Sequence, residues 1–144
     1  MGFFTAHSDG SYTVAAACYT LNISGHRIAV QIENTTFAVL DVRSAVPATM
    51  DDNSGFIPDP EPELPALTDV QTADGKVVFT WKGKSALWGK TYRLVCDHLR
   101  FTFHVSLEGQ GRVDAIRYFS GDMGASSGAA SYYEFSEGFT PCIS

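Results

Sequence analysis

Five carboxylates in the second half of the chain could do demanding chemistry: Asp97, Asp114, Asp122, Glu134 and Glu137. Paired carboxyl groups on either side of one bond are what glycoside hydrolysis requires, one as acid and one as base or nucleophile. A pair is recognised by a motif that fixes its separation, and none of the five lies in one. Asp114 sits on the strand face opposite Val113 and Ala115, which predicts a solvated side chain or a cross-strand partner. No catalytic residue is therefore assigned.

The four histidines, His7, His26, His98 and His104, are scattered rather than grouped with cysteine or carboxylate at ligand spacing. No metal and no cofactor is expected. Neither Gly83-Lys-Ser85 nor Gly124-Ala-Ser-Ser-Gly128 has the strand before and helix after that expose a nucleophilic serine. Glu108-Gly-Gln-Gly111 precedes a strand, so it lacks the helix terminus that would cradle a phosphate. The remaining chemistry is aromatic. Trp81, Trp88, Tyr92, Tyr118, Phe119, Tyr132 and Tyr133 could stack on sugar rings, although aromatic side chains mostly fill cores. Trp88, beside Gly89 at a strand start, is the least committed to the core. With Tyr132 and Tyr133 it forms the candidate carbohydrate platform.

The elements that must position these residues are strands. In Phe101 to Leu107 the apolar residues Phe101, Phe103, Val105 and Leu107 alternate with Thr102, His104 and Ser106. That period of two belongs to a half-buried antiparallel strand. Strands are expected at Tyr12 to Ile23, His26 to Glu33, Thr36 to Val42, Lys76 to Lys82, Trp88 to Cys96, Leu99 to Glu108 and Arg112 to Ser120, with a weaker one at Tyr132 to Phe135. Ser24-Gly25, Asn34-Thr35 and Asp74-Gly75 supply turns, the last a strong hairpin signal. No segment holds a helical period. The expected fold is all-β, an antiparallel sandwich of about eight to ten strands in a single domain over residues 1–144.

Residues 44–65 interrupt this pattern with five prolines and five acidic residues. They are read as a long loop, because proline cannot donate to a sheet ladder. Residues 121–131 are rich in Gly, Ala and Ser, and the stretch to Ser144 reads as if it leads into something further.

Composition bounds the function. Hydrophobic residues at 44% and charged residues at 18% argue for a packed domain rather than disorder. A net charge of −6 disfavours nucleic acid and anionic membranes as partners of the whole chain. No stretch is long and apolar enough to span a bilayer, and the start is not a signal peptide, so a soluble cytoplasmic protein is expected. Asn22-Ile-Ser24 and Asn34-Thr-Thr36 are read as chance matches to glycosylation acceptors. The cysteines, Cys18, Cys96 and Cys142, are odd in number and unpatterned. Cys18 and Cys96, inside expected strands, are read as reduced core thiols, with one bridge as the alternative.

The run from Val77 through Trp81, Trp88 and Tyr92-Arg-Leu94, then from Arg100 to Phe119, resembles a known domain type. It is similar to the N-terminal, galactose-mutarotase-like β-sandwich of multidomain glycoside hydrolases of the α-glucosidase and α-galactosidase type. The likeness covers about half of the chain. In that family a (β/α)8 barrel carries the catalytic carboxylates, and a barrel of ~250 residues does not fit within this chain. The resemblance thus implies a non-catalytic accessory domain that supports or shapes a barrel, with carbohydrate or that barrel as partner. A free-standing carbohydrate-binding module and a self-associating structural sandwich are the alternatives.

Overall fold

The computed structural model describes residues 3–33, 35–42, 46–51, 55–58, 62–109, 115–117 and 120–123. Thirteen strands run through them. They are β1 (Phe4–Ala6), β2 (Tyr12–Ala15), β3 (Thr20–Ser24), β4 (Arg27–Ile32), β5 (Thr35–Asp41), β6 (Val46–Asp51), β7 (Gly55–Pro58), β8 (Ala66–Ala73), β9 (Lys76–Lys84), β10 (Trp88–Cys96), β11 (Phe101–Gly109), β12 (Ala115–Arg117) and β13 (Ser120–Met123). All pair antiparallel, in sheets ordered β1-β2-β3-β4-β5-β13, β11-β10-β9-β8 and β12-β6-β7. The all-β sandwich expected from the alternation is the fold observed.

The first two sheets enclose the core. Val14, Leu21, Ile23, Ile28, Val30 and Val42 come from one side, and Val77, Phe79, Trp81, Tyr92, Leu94 and Cys96 from the other. Phe79 receives the edges of Phe4 and Tyr12 at centroid distances of 6.1 and 5.6 Å. Trp81 is wholly buried, and its Nε1 donates to the Gly25 carbonyl at 2.8 Å, joining the second sheet to the β3–β4 turn. Burying an indole requires such an acceptor. Phe37 and Ala38 are buried in succession, which a regular strand forbids. The register of β4 against β5 shifts between Val30 and Gln31, so a bulge admits the extra residue.

Several expected elements differ from the structure. Tyr12 to Ile23 is two strands, β2 and β3, paired as a hairpin. The reversal at Ala16 to Tyr19 lacks Gly, Pro or Asn; Ala16 N–H to Tyr19 O and Ala17 N–H to His98 O, both 2.9 Å, hold it instead. Cys18 therefore lies in a bend rather than in a strand, and it is disulfide-bonded, which corrects the reading of a reduced core thiol. Cys96 is buried and free, as expected. Residues 44–65 are not one loop, because they contain β6, β7 and the start of the approach to β8. Two of their prolines lie in strands. Pro58 ends the edge strand β7, and Pro47 has a partner only in β12. Strand β8 had no clear signal, since only Leu67 and Val70 are half-buried and a register shift between Leu67 and Asp69 breaks the alternation. Strand β11 begins two residues after the expected Leu99 and ends one residue past the expected Glu108, at Gly109. The expected strand at Tyr132 to Phe135 lies outside the described residues.

Candidate functional site

Three two-residue turns lock the second sheet. Asp74 and Gly75 take φ of 54° and 75° between β8 and β9. Ser85 N–H donates to Trp88 O at 2.8 Å around Ala86-Leu87. Asp97 N–H donates to Arg100 O at 2.9 Å around His98-Leu99. Two-residue loops leave no slack, so they fix which side chains stand beside each other.

The resulting outer face is ordered in rows. Asp69, Thr80, Arg93 and His104 form one, Ala66, Lys82, Thr91 and Ser106 a second, and Lys84, Gly89 and Glu108 a third. Neighbours within a row are about 4.8 Å apart, and rows about 7 Å apart. Lys82, Lys84, Arg93, His104, Ser106 and Glu108 are exposed, while Thr80 and Thr91 are half-buried. Lys82 Nζ donates to Thr91 Oγ1 at 3.1 Å, and Thr102 Oγ1 meets His104 Nε2 at 3.1 Å. Among the described residues no carboxylate comes within ion-pair distance of Lys82, Lys84 or Arg93. The rings of Phe79, Trp81, Tyr92, Phe101 and Phe103 all take the opposite, core-facing parity.

Trp88 shares that core-facing parity and is half-buried at the end of β10. It lies against Gly109, its cross-strand partner, where a Cβ would come 3.0 Å from Trp88 Cε3. Tyr132 and Tyr133, the other members of the expected carbohydrate platform, lie outside the described residues. So do Asp114, Glu134 and Glu137.

Three described carboxylates, Asp9, Asp41 and Asp97, bond at or beside turns. Asp97 Oδ1 accepts the N–H groups of Leu99 and Arg100, both at 2.8 Å, and these bonds hold its carboxyl below the usual range. Asp9 Oδ1 accepts from Ser11 Oγ at 2.6 Å and Ser11 N–H at 2.9 Å, which lowers its carboxyl likewise. Asp41 Oδ1 meets His26 Nδ1 at 3.0 Å beside the β3–β4 turn. His98 stacks on Phe3 with centroids 4.4 Å apart. Tyr19 OH donates to the carbonyls of Asp97 and Arg100 at 2.6 and 3.0 Å. Burial raises its phenol, and burial also pushes the neighbouring Cys96 thiol up to about 12. A thiol so placed is no nucleophile at neutral pH. Asn22 is half-buried in the middle of β3, and its Oδ1 accepts from Thr13 Oγ1 at 3.0 Å.

Lys90 is the residue that no motif singled out. It is 2% exposed on the core face of β10, opposite Gly83 in β9 and Leu107 in β11. Its signal was parity alone, for it alternates with Trp88, Tyr92 and Leu94.

Among the described residues no three His, Cys, Asp or Glu groups could hold a metal ion, and no helix is long and apolar enough to cross a membrane. No family model, curated protein or solved structure matches this chain.

Proposed function

We propose that the chain is a non-catalytic accessory β-sandwich domain of a carbohydrate-active enzyme of the glycoside hydrolase class, serving a catalytic barrel outside these 144 residues. The observation that carries this reading is the pattern from Val77 to Phe119, similar to the N-terminal sandwich of α-glucosidase-type and α-galactosidase-type enzymes. The use of its residues supports the same reading. Phe79, Trp81, Tyr92 and Leu94 are spent on the core and Asp97 on a turn, in keeping with a scaffold role for the residues that carry the likeness.

The purified chain is expected to release no product from a panel of aryl α- and β-glycosides. Turnover that a single carboxylate substitution abolishes would overturn the proposal. The bridge at Cys18 favours an oxidising setting, secreted or periplasmic, over the cytoplasm, because thiols are kept reduced in the latter.

A further inference from the structure

We propose that the outer face of the β8–β11 sheet binds a carboxylated polysaccharide, a chain of uronate type. The inference stands on the face itself and holds whichever catalytic partner the sandwich serves. Lys76, Lys82, Lys84 and Arg93 lie on this face against Asp69 and Glu108, a positive excess in a chain whose net charge is −6. Both acids belong to the edge strands β8 and β11, whereas the cations stand on the two central strands. Lys82, Lys84 and Arg93 thus form a positive group on the central strands, separated from Lys76 by the half-buried Val78 and Val95.

Lys82 and Arg93 occupy adjacent rows on adjacent strands, with Thr80, Thr91, Ser106 and Thr102 around them. Arg93 offers a planar fork that accepts a carboxylate with two parallel hydrogen bonds. The hydroxyls can each donate to or accept from a sugar hydroxyl. A polymer with one carboxylate per ring, lying across the sheet, meets cations and hydroxyls in turn.

Other occupants fit less well. A neutral glycan needs aromatic faces, and the sheet turns its aromatic rings inward. A protein interface is depleted of lysine at its centre and enriched in aromatic residues, the reverse of this face. Nucleic acid carries a denser charge, which the acidic remainder of the molecule repels.

Affinity electrophoresis of the intact chain through polygalacturonate tests the assignment, with galactomannan as the neutral gel and single-stranded DNA as competitor. The expected result is retardation in polygalacturonate alone, weakening with salt. Lys82→Glu with Arg93→Glu should weaken it about tenfold or more. Arg27→Glu, which reverses an exposed charge on β4 in the other sheet, should leave it unchanged. Both substitutions are on exposed positions, and an unaltered thermal midpoint verifies that the variants are folded. Absence of retardation, equal retardation in galactomannan, displacement by DNA at lower concentration than by oligogalacturonate, or indifference to the double substitution would each overturn it.

Discussion

Asp97 shows how a carboxylate that could have been catalytic is committed to structure. Its side chain closes the β10–β11 turn through two N–H groups, while its own carbonyl accepts the Tyr19 hydroxyl. The neighbouring His98 carbonyl binds Ala17 N–H and its ring lies on Phe3, so this turn also anchors the start of the chain. Replacing Asp97 with Ala is expected to cost about 1 kcal/mol at pH 7, near the lower end for a charged hydrogen bond because the site is open to solvent. The folded carboxyl lies below its ordinary value of 3.8, so the contribution is complete above that pH and is lost as pH falls through the lowered value. Urea melts of the two proteins at pH 7 and pH 3 should show the gap narrowing in acid. A gap that is constant with pH would mean the charge contributes nothing. At this scale the sequence was partly legible. The placement of Asp97 and His98 in a turn follows from their position between two strands, and the half-burial of Trp88 from its place beside Gly89. The burial of Lys90 was readable only by trusting parity over residue type.

At the scale of elements, glycines separate what turn geometry requires from what close approach requires. Gly75 has φ of 75°, with open space where a Cβ would go. Gly75→Ala should therefore cost only the left-handed conformation, about 1 kcal/mol. At Gly109 a Cβ would overlap the Leu87 carbonyl oxygen and crowd the Trp88 ring. Gly109→Ala should cost about 2–3 kcal/mol by forcing the Ala86-Leu87 turn and β11 apart. Thermal melts of both variants check the order, and a larger loss at Gly75 would contradict it. The same contrast explains what was legible in the elements. Strand β10 was read to its end residues because Trp88, Tyr92, Leu94 and Cys96 keep one parity along it, and β9 and β11 to within two residues. Strand β8 was missed because its edge position exposes most of its residues and its bulge puts Leu67 and Val70 three apart. The strands inside residues 44–65 were missed because Pro47 and Pro58 argue against strands in general, yet they stand near the start of β6 and at the end of β7. The positive group was hidden for a different reason. Lys82, Arg93 and Ser106 are far apart in sequence, and only the register set by two-residue turns brings them together.

At the scale of the whole molecule, the cysteines decide how the sandwich responds to its redox surroundings. Three are present, with Cys18 bridged and Cys96 buried and free. Spacing alone could not reveal this, because a bridge depends on chain paths that meet in space. A thiol reagent at pH 8 should find no reactive group in the folded protein, since burial holds the Cys96 thiol protonated up to about 12. Unfolding without reductant should expose one thiol per chain, and unfolding with reductant three. Three without reductant would remove the bridge and with it the case for an oxidising compartment. Reduction of the folded protein should lower its stability by about 2–4 kcal/mol through the freed unfolded chain. The buried thiol adds a separate limit in alkali. Its folded value lies above the ordinary 9.0, so the neutral form favours folding below pH 9.0, and that advantage is lost as pH rises from there towards 12. Cys96→Ala should therefore be less sensitive to alkali than the native chain, although less stable at neutral pH from the cavity it leaves. Denaturant melts at pH 7 and pH 10 distinguish the two effects, because only the titration changes with pH.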